Sequence, residues 1–156
     1  MSRELYFLRS SEQKIVTTMF QYAHPQKNED DLEKYTKFYG LTTKDLGLYA
    51  LVDNKIAGAI WSRRFQQDEV PTLSVAIVPE FKGEGIGAYM MEQFLQEIAV
   101  VSDELIIDIE EKQKALAFYE KFGFLKEKDS FLLRKKLERK EIVRPTDGYD
   151  ASHWMD

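Results

Sequence analysis

The chain has no cysteine among its 156 residues. That removes disulfides, cysteine-ligated zinc and every mechanism built on a thiolate nucleophile. Histidine is scarce, with His24 and His153 the two copies. Both fall in expected loops without a partner motif, so no metal centre is expected. Long apolar runs are missing too. None could span a bilayer, and the opening MSRELYFLRSSE lacks the apolar core of a signal peptide. The expectation is a soluble, cytoplasmic protein with no membrane partner. A basic excess is also lacking. The 22 Lys and Arg stand against 27 Asp and Glu, a formal net charge of −5. A nucleic-acid partner would call for a basic face, so none is expected, and a cationic or neutral partner fits better.

What is present is the composition of a globular domain, 44% hydrophobic and 31% charged, with room for a real core. Residues 4–9 read as a first strand. Ser10 or Ser11 can cap a helix carrying Ile15, Val16, Met19 and Phe20 at helical spacing. His24-Pro25 breaks it, and Asn28 or Asp30 can cap a second helix that Gly40 ends. Residues 47–52 and 55–63 read as a hairpin around Asp53-Asn54. A strand at 70–78 follows, with Pro71 near its start. Ile86, Met90, Phe94 and Ile98 recur every four residues in a strongly amphipathic helix. Residues 105–109 form an apolar strand suited to a buried parallel position, and 114–122 a helix ending at Gly123. Strands at 124–127 and 131–137 close the domain. The order β-α-α-β-β-β-α-β-α-β-β predicts an α/β (α+β) fold: a mixed, mostly antiparallel sheet of about seven strands with about four helices. Residues 1–137 form one domain, and 138–156 a loose extension without periodicity.

Residues 73–91, LSVAIVPEFKGEGIGAYMM, carry the most information. A strand stops at Pro79, three glycines alternate at Gly83, Gly85 and Gly87, and a helix starts at once. Glycine lets backbone approach a ligand closely, and a helix start offers unpaired N–H groups at the positive end of its dipole. This is a device for holding phosphate oxygens. Gly83, Gly85 and Ala88 satisfy the dinucleotide pattern G-x-G-x-x-A. Yet residues 79–82 intervene after the strand, and too little chain precedes the loop for paired βαβ halves. The nucleoside-triphosphate pattern G-x-x-x-x-G-K-[ST] is absent.

Lys82-Gly83-Glu84-Gly85-Ile86-Gly87 resembles the [Q/R]-x-x-G-x-[G/A] loop of the GNAT family of N-acetyltransferases, with lysine as the basic first residue. The lead-in VAIVPEF is similar too. One helix and one strand later, residues 115–124, ALAFYEKFGF, resemble that family's A-x-x-[FL]-Y-E-K-x-G-F segment. The resemblance covers residues 47–137 well, the first helices by element order only, and not the extension.

The resemblance implies a GNAT-like fold. It also implies acetyl transfer from acetyl-CoA, as co-substrate, to an amine of a small molecule, peptide or protein. The amine attacks the thioester directly, with no acyl-enzyme, which suits a chain without cysteine. It further implies that the backbone at Ala76, Ile77 and Val78 pairs with the pantetheine arm. The loop from Lys82 through Gly83, Glu84, Gly85, Ile86 and Gly87 to Ala88 would hold the pyrophosphate, with the Glu84 side chain turned to solvent. Tyr119 matches the tyrosine that acts as an acid toward the departing CoA thiolate. Phe118, Phe122 and Phe124 read as core. Lys112 stands where the family usually has an asparagine on the pantetheine, so its contact with the cofactor is open. No residue is identifiable as the general base. Asp108 could face the acceptor, with Glu110 on the same face, though a polar strand end is the favoured reading of both. Met19, Phe20, Tyr22, Tyr35, Tyr39, Trp61 and Arg63 are candidates for the acceptor side. The other reading is a non-catalytic coenzyme A-binding sensing or interaction module on the same fold. A homodimer, with the extension pairing to a second chain, is also left open.

Overall fold

The computed structural model describes residues 2–23, 30, 45–64, 70–109, 113–128 and 132–138. Strand β1 (Arg3–Phe7) leads through a 3-10 turn (Ser10–Glu12) into α1 (Gln13–Ala23). The helix begins just past the serines expected to cap it. The Glu12 carboxylate accepts the Arg9 amide at 3.0 Å, the reach-back half of a capping box. Strands β2 (Gly47–Val52) and β3 (Lys55–Arg63) keep the expected bounds. Between them Asp53 and Asn54 both take positive φ, 49° and 68°, the left-handed pair that matches a tight hairpin to the strand twist.

Strand β4 (Thr72–Ile77) starts just after Pro71. Proline has no N–H to give a ladder, and here its carbonyl accepts the Ile106 amide at 3.1 Å. Then come α2 (Ile86–Ile98), β5 (Glu104–Asp108), α3 (Gln113–Lys121), β6 (Leu125–Lys126) and β7 (Leu132–Lys136). Apart from Asp30, the helix expected at 28–40 lies outside the described residues, as does the extension beyond residue 138. Three α-helices are therefore described where about four were expected. None of the described helices is long and apolar enough to cross a membrane.

The seven strands form one sheet in the order β1-β2-β3-β4-β5-β7-β6. All neighbours are antiparallel except β4 and β5, which run parallel and share one register pair, Thr72 with Ile106. Helices cover both faces. Met90, Met91, Phe94 and Ile98 of α2 pack with Leu48, Ala50, Val52, Ile60 and Leu73, all within 2% of full burial. On the opposite face Val16 and Met19 of α1 pack with Ala59, Trp61 and Ala76. The period of two along β2, β3 and β4 sends alternate side chains to these two cores. At the outer end of the sheet, Arg134 of β7 binds Glu104 of β5 and, at 2.6 Å, Glu127.

Gly58 of β3 lies opposite Ile77 of β4, and a Cβ there would come within 2.5 Å of the Ala76 carbonyl oxygen. The sheet is closed too tightly at this point for any side chain. Gly83 differs: a Cβ would meet nothing within 4 Å, but its φ is +82°. Gly58→Ala should therefore destabilise by about 1–3 kcal/mol through overpacking, and Gly83→Ala by about 1 kcal/mol through backbone strain. Urea unfolding measures both, and a larger loss at Gly83 than at Gly58 would contradict the steric account.

Candidate functional site

Beyond Thr72 and Ile106 the parallel strands share no further register pair, and a cleft of about 650 Å³ opens at their carboxyl ends. That volume is typical of small-molecule sites. Val75 and Ile77 line it from β4, Ile107 and Asp108 from β5, and Phe118 and Tyr119 from α3. Tyr22 and Ala23, at the end of α1, reach it from the opposite side of the sheet. The Val78 amide donates to Ala57 of β3 at 2.8 Å. Because main-chain groups alternate sides along a strand, those of Val75 and Ile77 turn toward β5, where the ladder has ended. An extended ligand arm could add to that edge as a strand does.

The floor of the cleft is the glycine loop. Gly83 and Gly85 take φ of +82° and +77°, and Gly85 is the N-cap of α2 without any side-chain cap. The first intrahelical bond runs from the Tyr89 amide to the Gly85 carbonyl at 3.1 Å. The amides of Ile86, Gly87 and Ala88 therefore lack intrahelical acceptors and stand at the positive helix end. Lys82 lines the same cleft. At Gly87 a Cβ would press on the Phe118 ring at 3.2 Å, so glycine lets α3 close against the start of α2. The loop thus offers amides, a lysine and open space where a diphosphate needs them.

Of the sequence-assigned residues, Ile77, Lys82, Gly83, Gly85, Ile86, Gly87, Ala88 and Tyr119 line one cleft. Ala76 instead packs in the core beneath α1, and Val78 gives its amide to β3. Glu84 is half-buried, and its carbonyl, not its carboxylate, is the group held: it accepts from the Arg3 guanidinium. Lys112 and Glu110 lie outside the described residues, as do Tyr35 and Tyr39. Met19, Phe20 and Trp61 are buried core. Arg63 is bound to Asp45 at 2.6 Å with both side chains inside the protein. Tyr22 alone of the acceptor-side candidates among the described residues reaches this cleft. Phe118 does more than fill core, since it also walls the cleft. Arg3 carried no sequence signal.

A family model, the acetyltransferase (GNAT) domain, matches residues 44–126. The chain belongs to the GNAT family. An uncharacterized N-acetyltransferase of Archaeoglobus fulgidus is 32% identical over 81 residues, which cover 48% of this chain and 54% of that one. The match thus spans about half the length of that curated relative. Among solved structures, the ribosomal-protein-S18-alanine N-acetyltransferase of Escherichia coli has a TM-score of 0.66 at 16% identity, covering 96% of this chain and all of its own. A GNAT family acetyltransferase of Brucella melitensis, solved in complex with acetyl-CoA, has a TM-score of 0.65 at 16% identity, with 97% of each chain covered. At these identities the likeness is one of fold, and it matches the fold expected from the order of elements.

In this GNAT domain Tyr119 is 8% exposed and stands edge-on to Phe118 and Phe124, with ring centroids 5.1 and 5.7 Å away. Burial among these rings pushes its phenol far above the ordinary value near 10, because the anion would lose its hydration. The group is therefore a neutral O–H donor throughout the neutral range. A raised folded-state pKa stabilises fully below the unfolded value and is lost above it. Between about pH 10 and the folded pKa, stability should fall by about 1.4 kcal/mol per pH unit on account of this group. Tyr119→Phe should reduce that slope by the same amount in urea titrations from pH 9 upward; an unchanged slope would contradict the assignment.

Proposed function

We propose that this GNAT domain is an N-acetyltransferase that moves an acetyl group from acetyl-CoA to an amine of a small molecule, peptide or protein. The observation that carries the reading is the meeting of three features in one cleft. They are the α2 amides behind the glycine loop, the open edge of β4, and Tyr119. The cleft suits a long thioester with a diphosphate at one end and an apolar-walled reacting end at the other. When bound, acetyl-CoA supplies an activated acyl carbon and a thiolate leaving group.

The chain's own residues hold and orient. Lys82 and the amides from Gly83 to Ala88 take the diphosphate, and Glu84 contributes its backbone while its carboxylate stays off the phosphates. Ile77, with Val75 on the same open edge of β4, carries the pantetheine arm, whereas Ala76 and Val78 face away from it. The Tyr119 O–H faces the sulfur as negative charge develops there. With its acidity lowered by burial, Tyr119 stabilises the leaving thiolate by donating a hydrogen bond more readily than by surrendering its proton. Asp108 also lines the cleft, and its carboxylate would hold a cationic acceptor and take the proton the amine releases. The net charge of −5 also favours a cationic acceptor.

Purified protein with acetyl-CoA and a panel of amines should release free thiol. Tyr119→Phe should lower kcat about 10- to 100-fold while leaving the calorimetric Kd for acetyl-CoA within about two-fold, as removal of a group acting only at the transition state requires. Absence of acetyl-CoA binding at millimolar concentration would sink the proposal. Binding without turnover on any amine would point instead to a sensing module.

A further inference from the structure

The N-terminal edge strand reaches the glycine loop through one side chain. Arg3 of β1 donates from its guanidinium to the carbonyl of Glu84, 81 residues away in sequence. The same guanidinium lies 5.9 Å from the centroid of the Tyr89 ring on α2, within cation–π range. It also stands 3.9 Å from where a Gly85 Cβ would be. Strand β1 is tied down at this point. The Ser2 amide donates to the Asp53 carboxylate at 3.1 Å, and the Asp53 amide to the Ser2 carbonyl at 3.0 Å. Arg3 itself lies opposite Val52 in the ladder.

In a planar trans peptide the carbonyl of one residue and the amide of the next point in opposite directions. Holding the Glu84 carbonyl on the outer side of the loop therefore turns the Gly85 N–H inward, and Gly85 lines the cleft. Glycine at φ +77° has little intrinsic preference for this orientation over others, so an external contact has to set it. We propose that Arg3 is a positioning residue for cofactor binding: it fixes the Glu84–Gly85 peptide so that the Gly85 amide is presented to the diphosphate. The inference rests on the acetyl-CoA reading above. It concerns orientation rather than charge, because Arg3 is exposed and its field is screened by solvent and salt.

The test compares wild type, Arg3→Ala, Arg3→Lys and Tyr89→Leu, each checked for an unchanged circular-dichroism spectrum. Arg3→Ala should raise the calorimetric Kd and the KM for acetyl-CoA about five- to ten-fold, the scale of one lost hydrogen bond, with kcat within about two-fold. Arg3→Lys, which keeps a donor, and Tyr89→Leu, which removes only the ring support, should fall between. With S-acetylpantetheine, which has the thioester arm but no diphosphate, Arg3→Ala and wild type should have equal kcat/KM. The acetyl-CoA defect should persist at about 0.5 M NaCl, where the Debye length is on the order of 4 Å. The inference is overturned by an Arg3→Ala variant that binds acetyl-CoA like wild type. A defect shared with S-acetylpantetheine, or one abolished by salt, also overturns it. Wild-type protein that fails to bind acetyl-CoA would instead remove the underlying reading.

Discussion

Thr72 of β4 faces Ile106 of β5, and past that pair the parallel strands no longer share a ladder. The site depends on this break. Had pairing continued, the main-chain groups of Val75 and Ile77 would have been spent on a neighbouring strand and the cleft would have been sheet interior. Because it stops, α2 can present its first turn to the gap from one side, and α3 can lay Phe118 and Tyr119 across it. The antiparallel halves on either side, β1 to β4 and β5 to β7, each keep their neighbours paired, with one register shift between Ala50 and Leu51. The opening therefore shortens one ladder while the sheet stays a single unit.

The parts of this arrangement that were legible in the sequence are local ones. Glycines at alternate positions ahead of an amphipathic run specify a left-handed loop and a helix start, and Gly83, Gly85 and Ile86 adopt them. The hairpin at Asp53-Asn54 is likewise written in two adjacent residues. The segment around Tyr119 was legible through its resemblance to the family, and its burial among Phe118 and Phe124 gives that tyrosine its raised phenol pKa. What the sequence could not disclose were meetings between distant segments. Nothing in the composition of β1 says that Arg3 will touch Glu84, or that Tyr22 and Ala23 at the end of α1 will reach the cleft from the other face. Period-two alternation could have separated Ala76 from Ile77, since adjacent residues in one strand cannot both face the cleft. Phe118 was read as packing because an aromatic on a helix usually is; here one ring does both jobs.

The two cores also divide the labour. The α2 side is the larger core and carries the loop, so its packing supports the amides that would hold a diphosphate. The α1 side is smaller, and there Val16 and Met19 pack with Trp61 of β3 and Ala76 of β4, bracing β4 from behind. A ligand in the cleft thus meets a strand supported on its rear face and a helix supported along its length, a preorganised surface that spends little binding energy on ordering.

Gly58 draws a further consequence from the same strand. It does not itself line the cleft, yet it sets how near β3 lies to β4, and β4 is the cleft wall. Because β4 lies between β3 and β5, a side chain at this position would push the wall toward β5 and narrow the cleft. Position 58 therefore behaves as a width gauge. Enlarging residue 58 would tighten the cleft without replacing any residue that lines it.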